Sequence, residues 1–298
     1  MITNDTNIEL TFRGFQKLVS DAVLAAPAHA KKIAMTVPSS GRSEDYGWLS
    51  GMPSLREWIG PRVVTNLVAS GFTITNRRFE STVAVKRTDF ADDRLGVFAP
   101  FFSEMGQAQV RHQEELVFGL LKAGFDSLCY DGQNFFDTEH PVREAGATEP
   151  TFVANTDGGS GPGWYLLDTS RAMRPLIWQE REPYEFTQVN KSGDLNVFLN
   201  DEYLYGLRAR VNAGFGLWQL AWGSKQALNE GNYAAARAAM MSFKGEGGKL
   251  LGVTPTVMVV PPALENDALH LLNTEIKSGG GSNPWKGTCE LIVSPYLA

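Results

Sequence analysis

The stretch at 63–87 constrains this chain more than any other. Phe72 and Ile74, then Phe79, Val83 and Val85, alternate with polar residues on either side of Asn76-Arg77-Arg78. Period-two alternation around a turn predicts a long β-hairpin. The stretch holds many charges and few large apolar residues for its length. A two-stranded ribbon of that kind is marginal by itself in water. It must fold back onto its own domain or lie along a neighbour.

The rest of the chain predicts mixed α+β with no regular βαβ alternation. Residues 11–26 read as a helix, with Phe15, Leu18, Val19, Ala22 and Val23 on one face and Pro27 as the stop. That stripe must be buried on something. A loop-like stretch follows at 36–53, so another subunit is a candidate partner. Residues 54–59 suggest a short helix capped by Ser54 and stopped by Gly60-Pro61. The longest helix is predicted at 103–123, with Ser103 as cap and Gly124 at its end. His112, Leu116, Leu120 and Ala123 form its stripe, widened by Val117 and Leu121, with Arg111, Glu114, Glu115 and Lys122 opposite. Residues 146–163 read as a turn-rich loop. Strands are expected at 164–168, 176–189, 195–199, 203–211, 257–260 and 287–294, and the period of 212–224 is ambiguous. Helices are expected at 232–243 and from Pro262 to Leu272, with a glycine loop at 278–283.

Composition narrows the function. The chain has 298 residues, 43% hydrophobic, enough for one large or two modest domains. Its formal net charge of −6 argues against a protein that lives by gripping DNA phosphates. Two cysteines, Cys129 and Cys289, make no disulfide framework and suit a reducing compartment. The N-terminal residues lack a basic segment followed by an apolar run, so no signal peptide is expected. The longest apolar stretches, such as 257–262, are too short to span a bilayer. The expectation is a soluble protein made in a cytoplasm.

Candidate chemistry mostly yields to plainer readings. Gly245-Glu246-Gly247-Gly248-Lys249 superficially resembles a phosphate loop, but Phe243 stands where the first glycine belongs and Leu250 where a magnesium-binding hydroxyl belongs. A surface turn is the better reading. Cys129, Asp137 and His140 lie close enough in sequence to suggest a Cys/His nucleophile pair. The apolar neighbours Leu128 and Tyr130 favour a buried structural thiol instead. Asp131, Asp137, Glu139 and His140 offer hard-metal ligands without calcium-loop or paired-histidine spacing, and acidic residues beside Gly and Pro commonly form turns. His29, His112, His140 and His270 are scattered, and His112 on an apolar stripe reads as a core residue. Arg77, Arg78, Lys86 and Arg87 make a solvated face or an electrostatic contact with an acidic neighbour. No catalytic, cofactor-binding or metal residue is assigned, and no cofactor is expected.

The segment at 130–142, YDGQNFFDTEHPV, resembles the DG-x-x-FF-x-x-x-HP stretch of major head subunits of Mu-like phages and prophages. The 48–62 block WLSGMPSLREWIGPR, the segment 89–96 and the YGLRAR string at 205–210 are similar to further segments of that family, in the same order. The resemblance covers most of residues 8–298. It implies the Hong Kong 97-type capsid fold: an N-terminal arm (1–53), an extended β-hairpin loop (54–94) and a spine helix opening a peripheral domain (95–130). Interleaved peripheral sheet and axial domain would fill 131–275, with a C-terminal return to the peripheral domain at 276–298. It implies self-assembly in rings of five and six into the icosahedral head of a tailed phage, built in a bacterial cytoplasm and ending in the virion. The implied partners are further copies of the chain, a separate scaffolding protein, a portal, a possible decoration protein and DNA touched non-specifically. No membrane is implied. The family has no catalytic residues to carry over. Two other structural classes fit, an encapsulin-like shell around cargo enzymes and another phage ring or tube protein. A Cys/His enzyme is the alternative of a different class.

Overall fold

The computed structural model describes residues 5–50, 72–92, 94–143, 147–245, 248–276 and 280–298. The predicted helix at 54–59 and the first half of the predicted ribbon lie outside them. The chain opens with α1 (Asp5–Ala25), α2 (Ala30–Ile33), β1 (Ala34–Pro38), β2 (Ser43–Asp45), β3 (Thr73–Thr75) and β4 (Arg77–Lys86). α3 (Arg87–Ala91) and α4 (Ala99–Lys122) precede β5 (His140–Val142), β6 (Thr151–Val153), β7 (Thr156–Gly159), β8 (Trp164–Leu167) and β9 (Leu176–Val189). Then come α5 (Leu195–Asn200), β10 (Glu202–Phe215), β11 (Ala221–Lys225), α6 (Glu230–Met241), β12 (Val257–Val260), α7 (Glu265–Leu272) and β13 (Glu290–Val293).

Two sheets organise the molecule. One runs β1-β9-β10-β4 and the other β13-β12-β8-β11-β7. β9 and β10 form a 14-residue antiparallel pair at the centre of the first sheet. Along β10, Tyr203, Tyr205, Leu207, Ala209 and Val211 are buried, as period-two alternation requires of a strand with one covered face. α1 and α4 cover that face. Phe15 of α1 stacks on Phe102 of α4 with ring centroids 3.9 Å apart, and both meet Tyr205 edge-on. Burying Phe15 and Val19 stabilises the arm by about 1.5–3 kcal/mol each. Gly106 makes the approach possible, since a Cβ there would sit 2.4 Å from the Val19 carbonyl oxygen. The apolar stripe of the arm helix therefore finds its partner within its own chain, not in another subunit.

The second sheet forms the larger core. β8 and β12 are buried along their whole length, and α6 and α7 contribute Tyr233, Ala236, Met240, Ala268, Leu271 and Leu272 to the same cluster. Asn229 caps α6 by accepting the Asn232 N–H at 2.9 Å. β13 extends β12 in parallel, and the final turn reaches the end of α4, where Lys122 Nζ donates to the Ala298 carbonyl.

The ribbon is paired differently from the sequence reading. β4 does not pair with β3. It pairs along its full length with β10, from Glu202 opposite Lys86 to Val211 opposite Arg77. Its apolar residues, Val85 buried and Val83 and Phe79 half-buried, pack on the chain's own cores. β3 pairs instead with β2, Asp45 opposite Thr73. The stretch 36–53 thus holds strands β1 and β2, where a loop was expected. Residues 195–199 form a helix, not a strand: Asp194 holds an extended conformation before it and Asp201, at φ 53°, ends it in the left-handed region. α4 starts before Ser103, with Pro100 in its first turn, where a missing N–H costs nothing. Glu114, expected on its polar side, is buried. Its Oε1 accepts the backbone N–H groups of His29 and Ala30 at 2.7 and 2.6 Å and so caps α2.

Candidate functional site

The 130–142 string folds into a staple between β5 and the second sheet. Asp131 is its hub. Its Oδ1 accepts the Cys129 thiol at 3.1 Å and the Gln133 N–H at 3.1 Å, and its Oδ2 lies 2.7 Å from His140 Nδ1. His140 is fully buried, its ring parallel to Trp218 at 4.0 Å, and its Nε2 lies 3.2 Å from Asn155 Oδ1. Asn155 is fixed in turn, accepting the Asp137 N–H at 2.9 Å and donating to the Phe135 carbonyl at 2.8 Å. Phe135 stacks on Phe215, and Phe136 fills a slot between Gly124 and Gly223, either of which would drive a Cβ into its ring. Gly124 therefore serves close packing, not the left-handed helix end that the sequence suggests.

The structure brings Cys129, Asp131 and His140 together, with ligand atoms all within 4.8 Å. Asp137 and Glu139 stand apart: Asp137 Oδ1 accepts the Thr138 and Glu139 N–H groups as a turn former, and Glu139 is exposed. Burial, reinforced by the Asp131 charge, pushes the Cys129 thiol far above its ordinary range. A protonated thiol is neither an activated nucleophile nor a ready metal ligand. Burial alone would raise Asp131, but the His140 hydrogen bond and charge outweigh it and hold the carboxyl below its ordinary range. Both ring nitrogens of His140 face oxygen atoms of the fold, Asp131 Oδ2 and Asn155 Oδ1, so neither is left open to a ligand. The cluster is a cross-brace whose polar atoms answer one another.

The remaining sequence candidates are separate. His112 Nδ1 meets the Tyr184 hydroxyl at 2.5 Å, and burial lowers its pKa. His29 lies at the start of α2, and His270 is exposed. At the ends of the 245–249 stretch the Gly245 N–H donates to the Lys249 carbonyl. Arg77 lies over the Phe79 ring, and Arg87 makes an exposed ion pair with Asp201 at 3.7 Å. Sequence reasoning missed the apolar exterior of α5. Leu195, Phe198 and Leu199 are 71%, 79% and 65% exposed, and only Val197 turns inward. The signal was four apolar residues within five positions, flanked by Asp194 and Asp201.

A two-sheet molecule with its polar cluster spent internally and apolar groups outside is suited to building assemblies. Solved structures show the same chain trace. The procapsid of bacteriophage JBD30 matches with a TM-score of 0.88 and 45% identity, over 98% of this chain and 99% of that one. The JBD30 capsid matches with a TM-score of 0.76 and 34% identity, over 93% of each chain. The fold is that of a phage major capsid subunit, of the Hong Kong 97 type. The family model for the Mu-like prophage major head subunit gpT matches residues 8–297. The major capsid protein of Escherichia phage Mu is 43% identical over 100% of both chains. The Mu-like prophage FluMu major head subunit of Haemophilus influenzae is 40% identical over 97% of each. This chain belongs to the Mu-like major head subunit family.

Proposed function

We propose that this chain is a major capsid protein that assembles, through rings of five and six copies, into the icosahedral head of a tailed phage enclosing double-stranded DNA. The observation that carries this reading is end-to-end identity of 43% with the phage Mu major capsid protein. In this reading the chain works through its surfaces and performs no catalysis. It is made in the host cytoplasm and ends in the virion. Identical contacts, each weak, add up over a closed shell.

The parts take roles. The first sheet with α1 and α4 is the peripheral domain, and the second sheet with α6 and α7 the axial domain. The C-terminal residues tie the two by joining β12 and touching α4. The extended-loop role is given to the stretch 51–71, which is flanked in sequence by the paired strands β2 and β3. A separate scaffolding protein and a portal complete assembly. A decoration protein fits too, since a JBD30 capsid structure is decorated with minor capsid protein trimers. The net charge of −6 suits an inner wall that touches DNA without gripping it.

Expression with the neighbouring phage genes, followed by negative-stain microscopy, tests the reading. Closed icosahedral particles are expected. Tubes, flat rings or particles filled with enzyme cargo would refute it.

A further inference from the structure

Resting on that shell reading, we infer that an arginine-lined cleft beside the β2–β3 pair receives carboxylate groups from a second copy of this chain. The cleft has a volume of about 470 Å³ and is lined by Arg42, Thr75, Asn76, Arg78, Arg208 and Arg210. Three elements converge to build it. Alternation along β10 sends Arg208 and Arg210 to the face opposite its buried residues. The strand register sets Arg78 of β4 opposite Arg210. The Asn76 amide donates to Ser39 Oγ at 2.8 Å and the Gly41 carbonyl at 3.0 Å, which holds the turn carrying Arg42 against the same edge.

Among the described residues, one carboxylate answers two of the four guanidiniums. Glu182 divides its oxygens between Arg208 Nη2 at 2.7 Å and Arg210 Nη1 at 2.9 Å. Arg42 and Arg78 are exposed and have no acidic partner among the described residues. Arg210 Nε is buried with no hydrogen-bond partner. Three nearby acids are committed elsewhere, and Glu185 stands opposite Arg208 on β9. Glu44 accepts from Ser39, Ser40 and Gly41, Asp45 from Thr73, and Glu80 from Thr82. In the single subunit, like charges crowd the cleft, and an incoming anion relieves them.

The chemistry favours a second copy. The guanidinium fork matches a planar carboxylate, and Glu182 beside the cleft already bridges Arg208 and Arg210. The chain has 33 acidic against 27 basic residues, so every neighbour brings surplus carboxylates. A surface that tracks nucleic-acid phosphates requires a continuous basic stripe, whereas here Glu182 interrupts the arginines.

Two variants of the full-length chain, expressed with the neighbouring phage genes, test the proposal. Arg42→Glu/Arg78→Glu should melt at the wild-type temperature as a subunit, because both side chains are exposed, yet lower shell yield by roughly tenfold. Arg42→Lys/Arg78→Lys shells grown from mixed ¹⁴N and ¹⁵N subunits are then treated with a carbodiimide, which joins a lysine amine to a touching carboxyl. Isotopically mixed cross-links from position 42 or 78 to an Asp or Glu are expected. Wild-type shell yield from the Glu variant overturns the proposal, as do cross-links confined to one copy. Normal shells that have lost only DNA retention assign the cleft to phosphate and overturn it as well. If the Glu variant fails to fold, the cross-links decide. Failure of the wild-type chain to form shells falls on the shell reading instead.

Discussion

Asp131 and His140 show how a string that looks chemical becomes structural. Each polar atom of the cluster has a partner a few residues away or across the core, so removing one strands another. His140→Ala leaves the Asp131 carboxylate without its main partner and empties the slot over Trp218. A loss of about 3–5 kcal/mol is expected, read as a shift of the urea midpoint of the unassembled subunit. The same pair sets an acid limit. Folding depresses the Asp131 pKa, so its contribution is fully present above the ordinary value of 3.8 and is lost as pH falls through the folded value. Below pH 3.8 the wild-type melting temperature should fall more steeply than that of Asp131→Asn. Equal slopes would mean the carboxylate is unpaired in solution. Both thiols are buried and their pKa values raised chiefly by that burial. A thiol reagent should therefore label Cys129 and Cys289 only after denaturation, and fast labelling of the native subunit would contradict the packing.

At the scale of elements, close approach decides more than propensity does. α1 lies on α4 because Gly106 lets the Val19 carbonyl come near, and Ala22 Cβ would be 2.9 Å from a Cβ at that position. Gly106→Val should push the arm off the spine helix and cost about 1–3 kcal/mol, measurable by denaturant titration together with faster proteolysis in the arm. α5 behaves in the opposite way. Its Leu195 and Phe198 side chains touch little of their own chain, so Leu195→Ser/Phe198→Ser should change subunit stability by no more than about 0.5 kcal/mol. Helices and buried strands were legible where period and chemistry agreed, as in α6, β8 and β12. α5 was misread because a run of apolar residues fits a buried strand and a short helix equally well, and only the flanking aspartates separate the two.

For the whole molecule, β3 pairs with β2 and β4 with β10, so β3 and β4 do not form one ribbon. Asp45 and Thr73 stand opposite one another and the Tyr46 N–H donates to the Phe72 carbonyl, so a flexible Gly-Ser linker in place of residues 51–71 keeps the sheet and the buried Tyr46 and Leu49 intact. That variant is expected to remain a folded monomer with near-wild-type circular dichroism and to form no shells. Deleting 66–85 instead removes β4, the edge strand over the core around Val85, and should abolish folding. A linker variant that still builds normal heads would show that residues 51–71 are dispensable for assembly.

The amino-acid order by itself determined the mixed α+β class, the arm helix, the spine helix, the buried strands of the second sheet and, through its ordered motifs, the family. Those features depend on local periodicity or on residues a few positions apart. Tertiary structure alone decided which strand pairs with which. The alternation at 63–87 reports that a strand has two unlike faces, but backbone hydrogen bonds are the same for every residue type, so alternation cannot name the partner. β10 became that partner because its own alternation places Tyr203, Tyr205 and Leu207 on the face that α1 and α4 cover, beside Val85 of β4. The ribbon that looked short of a core thus keeps β4 inside the subunit, paired along β10.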